Sequence, residues 1–307
     1  MESVGRCCEE DEMSYMFDLI EEVKPVGVYG VSYLDNQLRS INKGELVLIG
    51  AGSGSGKSTL AQRIAVTNAK RGIKTALFSL ENSRGDTLRR EVYNNYRNLV
   101  RNWRLTYREF IEMVNKGIHD GECFEEAYNK ASETLIGVWL YEKPAAGFTV
   151  QNLKEEFEKA VRDGCKLLII DHLDYFDQIE NDPKDECKYL REIMKSIRKL
   201  MEEFGTPVVA FSQFRKPADQ KMIIPTQYEF YGSSDKAKIA TTIITIARNY
   251  EAKDISPTDI HTYIAIRKDR FGNTSVADCV FDLKNNEYKT GYTLGYTNEW
   301  GHFFKEV

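Results

Sequence analysis

The chain has 307 residues, 42 Lys plus Arg against 47 Asp plus Glu, a formal net charge of −5 and 42% hydrophobic residues. That length suits one large α/β domain or two smaller ones, with a core that buries roughly three quarters of the unfolded surface. No run of about 18 apolar residues occurs, which excludes a membrane-spanning helix, and the acidic Glu9, Glu10, Asp11 and Glu12 do not read as a secretory leader. The six cysteines (Cys7, Cys8, Cys123, Cys165, Cys187, Cys279) are scattered without a CxxC pair, so they read as reduced thiols of a cytoplasmic protein rather than metal ligands. The mild acidity argues against a general basic coat for nucleic acid but allows a local basic channel.

Residues 1–26 read as an arm, with Met13, Met16, Phe17 and Ile20 at helical spacing before Pro25 and Gly27 break the pattern. Such a helix either folds back on its own core or docks on a neighbouring subunit. From Glu45 to Ile49 the chain predicts a buried strand, then a helix over Leu60–Arg71 stopped by Gly72, then a strand over Thr75–Leu80. A long polar and largely helical region follows from Asn82 to Thr134, with a short strand at Val138–Tyr141. Thr149 caps a predicted helix whose Leu153, Phe157 and Val161 share one face, closed by Gly164. Lys166–Ile170, Asp185–Phe204 and Pro207–Phe211 predict strand, helix and strand. This alternation means an α/β fold, a mainly parallel twisted sheet with helices on both faces. Four further strands, over Ile239–Arg248, Thr262–Lys268, Val276–Leu283 and Glu287–Tyr292, predict an antiparallel C-terminal extension of that sheet.

The strongest chemical signal is the loop after the first strand: Gly50, then Ala51, Gly52, Ser53, Gly54, Ser55, Gly56, Lys57, Ser58 and Thr59. Between a strand and a helix this is a P-loop, in which glycines let successive backbone N–H groups turn toward phosphate oxygens. Lys57 would neutralise the β- and γ-phosphates of ATP, and the Ser58 hydroxyl would bind Mg2+. Ala51 stands where the motif usually opens on Gly. Asp171, closing the apolar run Leu167–Ile170, suits the second Mg2+-holding acid of such sites.

Glu81 follows the Thr75–Leu80 strand, where a carboxylate can face the γ-phosphate and orient or deprotonate water; it reads alternatively as a cap for the helix beyond. Gln213 ends the Pro207–Phe211 strand region in the same way, as a γ-phosphate sensor or an ordinary strand-end amide. Arg267, Lys268 and Arg270 end another strand. From spacing alone they read more simply as a solvated edge than as fingers reaching a neighbour's ATP.

The motifs in order are Gly44-Glu45-Leu46, the Ala51–Ser58 loop, Phe78-Ser79-Leu80-Glu81-Asn82-Ser83, Ile170-Asp171-His172-Leu173-Asp174, Phe211-Ser212-Gln213 and Lys268-Asp269-Arg270-Phe271-Gly272. Together they resemble the motor domain of DnaB-like replicative helicases, a superfamily-four family with a RecA-like fold. The resemblance covers residues 27 to about 292, nearly the whole chain. It implies a RecA-like motor over 27–295 and a tail over 296–307. It also implies an ATP-hydrolysing DNA helicase that acts in replication as a homo-oligomer, a hexameric ring with ATP sites between subunits.

Under this resemblance Lys57, Ser58 and Asp171 bind ATP and Mg2+, Glu81 is the catalytic carboxylate, and Gln213 couples nucleotide state to DNA. Lys268 and Arg270 become fingers acting in trans, which reverses the simpler reading. Single-stranded DNA would meet loops at about 177–186 and 215–231, the second carrying Arg215, Lys216 and Lys221 with Tyr228, Phe230 and Tyr231. A primase or helicase loader fits the same picture as a partner. The family's N-terminal collar is not expected here. Asp174 replaces the family's usual Gln, and Ser234-Asp235-Lys236-Ala237-Lys238 replaces an acidic stretch. The alternative within the same fold is a DNA-dependent ATPase, a recombination mediator or replication accessory subunit, that does not unwind.

Overall fold

The computed structural model describes residues 24–53, 55–145, 147–177, 186–214, 224–230, 234–249, 259–282, 287–297 and 303–305. β1 (Pro25–Gly27) pairs antiparallel with β2 (Ile41–Asn42) across α1 (Ser32–Leu38), a small unit that packs beside the main sheet. β3 (Leu46–Ala51) then feeds the P-loop and α2 (Lys57–Lys70), and β4 (Thr75–Ser79) follows. The polar region resolves into three helices, α3 (Arg84–Leu99), α4 (Tyr107–Asn115) and α5 (Gly121–Ile136). Ser83 with Asp86 and Thr106 with Glu109 close capping boxes at the first two, and Asp120 caps the third. These helices enclose a core of their own around Val92, Tyr96, Phe110, Ala127 and Ala131.

β5 (Val138–Glu142), α6 (Val150–Arg162), β6 (Leu167–Asp171), α7 (Glu186–Phe204) and β7 (Val208–Gln213) complete the alternating half. Thr149 does cap α6, in a box with Asn152, and Leu153 and Phe157 are buried as their spacing requires. The last third holds α8 (Ser234–Ile239), β8 (Thr242–Arg248), β9 (Asp259–Lys268), β10 (Ser275–Asp282), β11 (Glu287–Thr297) and β12 (Phe303–Lys305).

The main sheet has ten strands in the order β12-β11-β10-β9-β8-β3-β7-β6-β4-β5. From β8 to β5 neighbours are parallel, and from β8 to β12 they are antiparallel. The expected antiparallel extension is present, with a correction at its start. β8 runs parallel to β3, and Ile239 ends the short helix α8 instead of opening the strand. β12 extends the sheet beyond residue 295, pairing with β11.

Side chains alternate across the central strands, as a sheet covered on both faces requires. Val47 and Ile49 pack with Leu60 and Ile64 of α2, whereas Leu46 and Leu48 pack with Phe157 of α6 and with Ile193 and Ile197 of α7. Each such side chain removed from water contributes about 1.5–3 kcal/mol, so both layers hold the central strands rigid under the loops at their ends.

Candidate nucleotide site

Because β3, β7, β6 and β4 are parallel, their C-terminal ends share one edge of the sheet. Ala51 lies beside Gln213 at that edge, and Ser79 beside Asp171. The P-loop leaves β3 there, and Gly56 enters α2 at φ 90°, a left-handed conformation that favours glycine. Gly50 is required for space: a Cβ there would stand 2.4 Å from ring carbons of both Phe214 and Phe230. The Lys57 ammonium donates to the Gly52 carbonyl at 3.0 Å and the Ala51 carbonyl at 3.4 Å. Burial lowers its pKa, opposed by the charges of Asp171, Glu81 and Asp174 that surround it. Gly54 lies outside the described residues.

Asp171 is buried, and Ser58 hydrogen-bonds to its carboxyl. Its Oδ1 has no hydrogen-bond partner among the described residues. Burial raises the Asp171 pKa, with Ser58 and His172 pulling the other way. A buried acid with an unused oxygen beside a helix-start hydroxyl is a donor set that fits a hard cation such as Mg2+. Glu81 stands next to it, its Oε2 3.8 Å from His172 Nε2, and the Tyr175 phenol also hydrogen-bonds to it.

Sequence reasoning did not assign roles to His172, Tyr175, Ser212 or Lys236, and read Asp174 only as a departure. In the structure Asp174 is a junction. Its Oδ2 accepts from the Gln213 backbone N–H at 2.7 Å and faces His172 Nδ1 at 3.0 Å. Its Oδ1 accepts from Lys236 Nζ at 3.0 Å, and Lys236 also donates to the buried Ser212 hydroxyl at 2.9 Å. Burial alone would raise the Asp174 pKa, but the His172 hydrogen bond and the Lys236 charge outweigh it and hold the carboxyl well below the usual range. The available signal was spacing: His172 and Asp174 lie one and three residues after the strand-end acid Asp171.

The four carried-over site groups Lys57, Glu81, Asp171 and Gln213 therefore meet at one edge. Lys268 and Arg270 do not. β9 is antiparallel to β8 with Lys268 opposite Ile243, and Ile243 lies beside Leu48, three residues before Ala51 along β3, so the end of β9 points away from the P-loop edge. Lys268 donates to the carbonyls of Ala240 at 2.6 Å and Ala237 at 3.1 Å, at the C-terminal end of α8, whereas Arg270 is exposed. Arg267 is buried, donating to the carbonyls of Ile224 and Pro225, which makes it a packing residue and not part of a solvated edge. Phe230, grouped above with aromatics for nucleic acid, is fully buried against Phe214; Tyr228 is exposed. Arg215, Lys216, Lys221 and Tyr231, and the arm at Met13–Ile20, lie outside the described residues.

A glycine loop at the mouth of a central parallel strand, with an acid closing a nearby strand, is the plan of RecA-like P-loop ATPases. Within that class the chain belongs to the DnaB-like helicase C-terminal domain family, whose model matches residues 28–290. It is 25% identical over 279 residues to a DNA helicase/primase of Enterobacteria phage T3, covering 87% of this chain and 44% of that protein. It is 28% identical over 262 residues to the replicative DNA helicase DnaB of Treponema pallidum (strain Nichols), covering 82% and 53%. The chain thus spans about half the length of the curated relatives it matches. A solved DnaB-like replicative helicase, described with its interactions with primase, superposes with a TM-score of 0.70 at 17% identity, covering 91% of this chain and 66% of that one. Among the described residues no helix is long and apolar enough to cross a membrane.

Proposed function

We propose that this chain is the motor of an ATP-dependent DNA helicase, a hexameric ring that translocates on single-stranded DNA in the cytoplasm during replication. The observation that carries this reading is the opposition of the two sheet edges. Arg270 leaves the sheet at the edge away from the chain's own P-loop, so a neighbouring subunit in a head-to-tail ring is the natural recipient of its charge. Composite sites of that kind are useful to a ring motor and superfluous to a small-molecule kinase.

In this mechanism the P-loop N–H groups and Lys57 bind the triphosphate, and Ser58 and Asp171 hold Mg2+. The metal, when bound, neutralises charge on the β- and γ-phosphates. Glu81 orients the attacking water and accepts its proton. Gln213, beside Ala51 at the same sheet edge, would sense the γ-phosphate one residue before Phe214 and the stretch that carries Arg215, Lys216 and Lys221. Those cations would follow the DNA phosphates. Arg270 of the adjacent subunit stabilises the charge that develops on the transferred group, while Lys268 supports that edge. A primase or a helicase loader is proposed as partner.

The test is steady-state ATPase with and without single-stranded DNA, on protein whose mass is followed by light scattering, then unwinding of forked duplexes. Strong stimulation, a mass near six subunits and ATP-dependent fork opening are expected. Stimulated hydrolysis without unwinding of any fork would favour the accessory ATPase. A monomer whose turnover ignores DNA would remove the ring motor altogether.

A further inference from the structure

Lys236 is fully buried, which is costly for an ammonium unless it is paired and hydrogen-bonded. Its partners are specific. Nζ reaches Asp174 Oδ1 and the Ser212 hydroxyl, and the other oxygen of Asp174 holds the Gln213 backbone N–H and faces His172 Nδ1. His172 Nδ1 also accepts from the Asp174 backbone N–H at 3.3 Å, so Asp174 holds the Nδ1 side of the ring from two directions while Nε2 faces Glu81. The His172 side chain is itself only 5% exposed and lies 4.6 Å, centroid to centroid, from the Tyr175 ring. One carboxylate thus fixes three things: the end of the strand that delivers Gln213, the ring beside Glu81, and the helix that carries Lys236.

The other end of that helix is fastened too. Lys268 grips the carbonyls of Ala237 and Ala240, so α8 is pinned by Lys236 toward the nucleotide edge and by Lys268 toward the opposite edge. A buried ion pair kept only for stability could be replaced by apolar side chains of similar volume. A pair at the junction of two site groups has another use.

We infer that Lys236 is a positioning residue of the ATP site, acting through Asp174 and His172 to fix where the Glu81 carboxylate stands and where β7 presents Gln213. This rests on the reading of Glu81 as the catalytic carboxylate. It assigns a joint role to two departures from the family pattern, Asp174 and Lys236, that lie 62 residues apart in sequence.

The test uses the full chain with ATP, Mg2+ and single-stranded DNA. Asp174→Ala and Lys236→Met each strand a buried charge, and both should lower the melting temperature. The double variant removes both charges, and its melting temperature should recover. All three should lose about 10- to 100-fold in kcat with KM for ATP within about twofold, and in the double variant the kcat loss should persist despite the recovered stability. If kcat returns together with stability, the pair is scaffolding and the inference is overturned. His172→Ala leaves the ion pair whole and covers the case in which the pair variants do not fold. The same kcat loss at unchanged KM is expected of it, and wild-type kcat would overturn the inference. Glu81→Gln separates the two readings. If it turns over ATP like the wild type, the catalytic assignment of Glu81 fails. If it is inactive while the His172 and pair variants keep wild-type kcat, only the positioning role fails.

Discussion

Lys268 and Ala51 leave the same sheet at opposite ends. Lys268 stands opposite Ile243 in the β8–β9 pair, Ile243 lies beside Leu48, and Ala51 is three residues further along β3. At about 3.3 Å per residue that separates the two levels by roughly 10 Å along the strand direction. Under the proposed ring, geometry of this kind would present the cation-bearing strand end to a neighbouring subunit's site and so tie catalysis to assembly.

Removing the P-loop cation is the first consequence to check. Lys57→Ala should reduce ATP turnover at least about 100-fold, because the cation proposed to neutralise the β- and γ-phosphates is gone. Phosphate release at saturating ATP is the readout, and turnover near wild type would remove Lys57 from the mechanism.

Arg270→Ala should behave differently. Its side chain is exposed and distant from the chain's own loop, so hydrolysis should fall by about a thousandfold or more while a fluorescent ATP analogue binds with affinity changed by only a few-fold. A large loss of affinity with hydrolysis intact would place Arg270 in ground-state binding.

Gly50→Ala tests packing under the loop. The added Cβ would stand 2.4 Å from the Phe214 and Phe230 rings, which interlock edge to face with centroids 5.2 Å apart. Overpacking of this sort costs about 1–3 kcal/mol, read as a lower melting temperature. An unchanged melting curve would show that both rings give way freely.

Asp174 predicts a pH dependence. Its carboxyl is held below the ordinary value of 3.8 despite burial, so its ionised form stabilises the fold at neutral pH. That contribution is lost as pH falls from about 4 toward the lowered value. The melting-temperature gap between wild type and Asp174→Asn should be wide near pH 7 and narrower near pH 3.5. A gap that stays constant over that range would mean that Asp174 contributes no charge-dependent stability.

What was legible in the sequence was local. The P-loop, the Thr149 cap and the strand ending at Asp171 each declare themselves within about ten residues, because turn chemistry and side-chain alternation act over that distance. β1 and β2, of three and two residues, carry too little periodicity to stand out. α8 has six residues, two of them in the lysines Lys236 and Lys238, and such a stretch looks like a solvated loop. That Lys236 is buried depends on Asp174, 62 residues away, and a single sequence does not record that pairing. Phe230 went astray for the same reason: an aromatic near surface cations suggests a stacking platform until Gly50 and Phe214 are seen to enclose it. The outward position of Arg270 follows from β9 being antiparallel to β8, which the strand pattern did predict, together with β8 running parallel to β3, which it did not.

The most direct test of a shared site is complementation between two inactive variants, Lys57→Ala and Arg270→Ala. Mixed and allowed to reassemble, they place an intact P-loop against an intact Arg270 at about a quarter of the interfaces in an equal mixture. The account predicts ATPase in the mixture well above either variant alone, rising and falling with the mixing ratio. Mixed assemblies that form, as followed by subunit exchange, yet stay inactive at every ratio would contradict it.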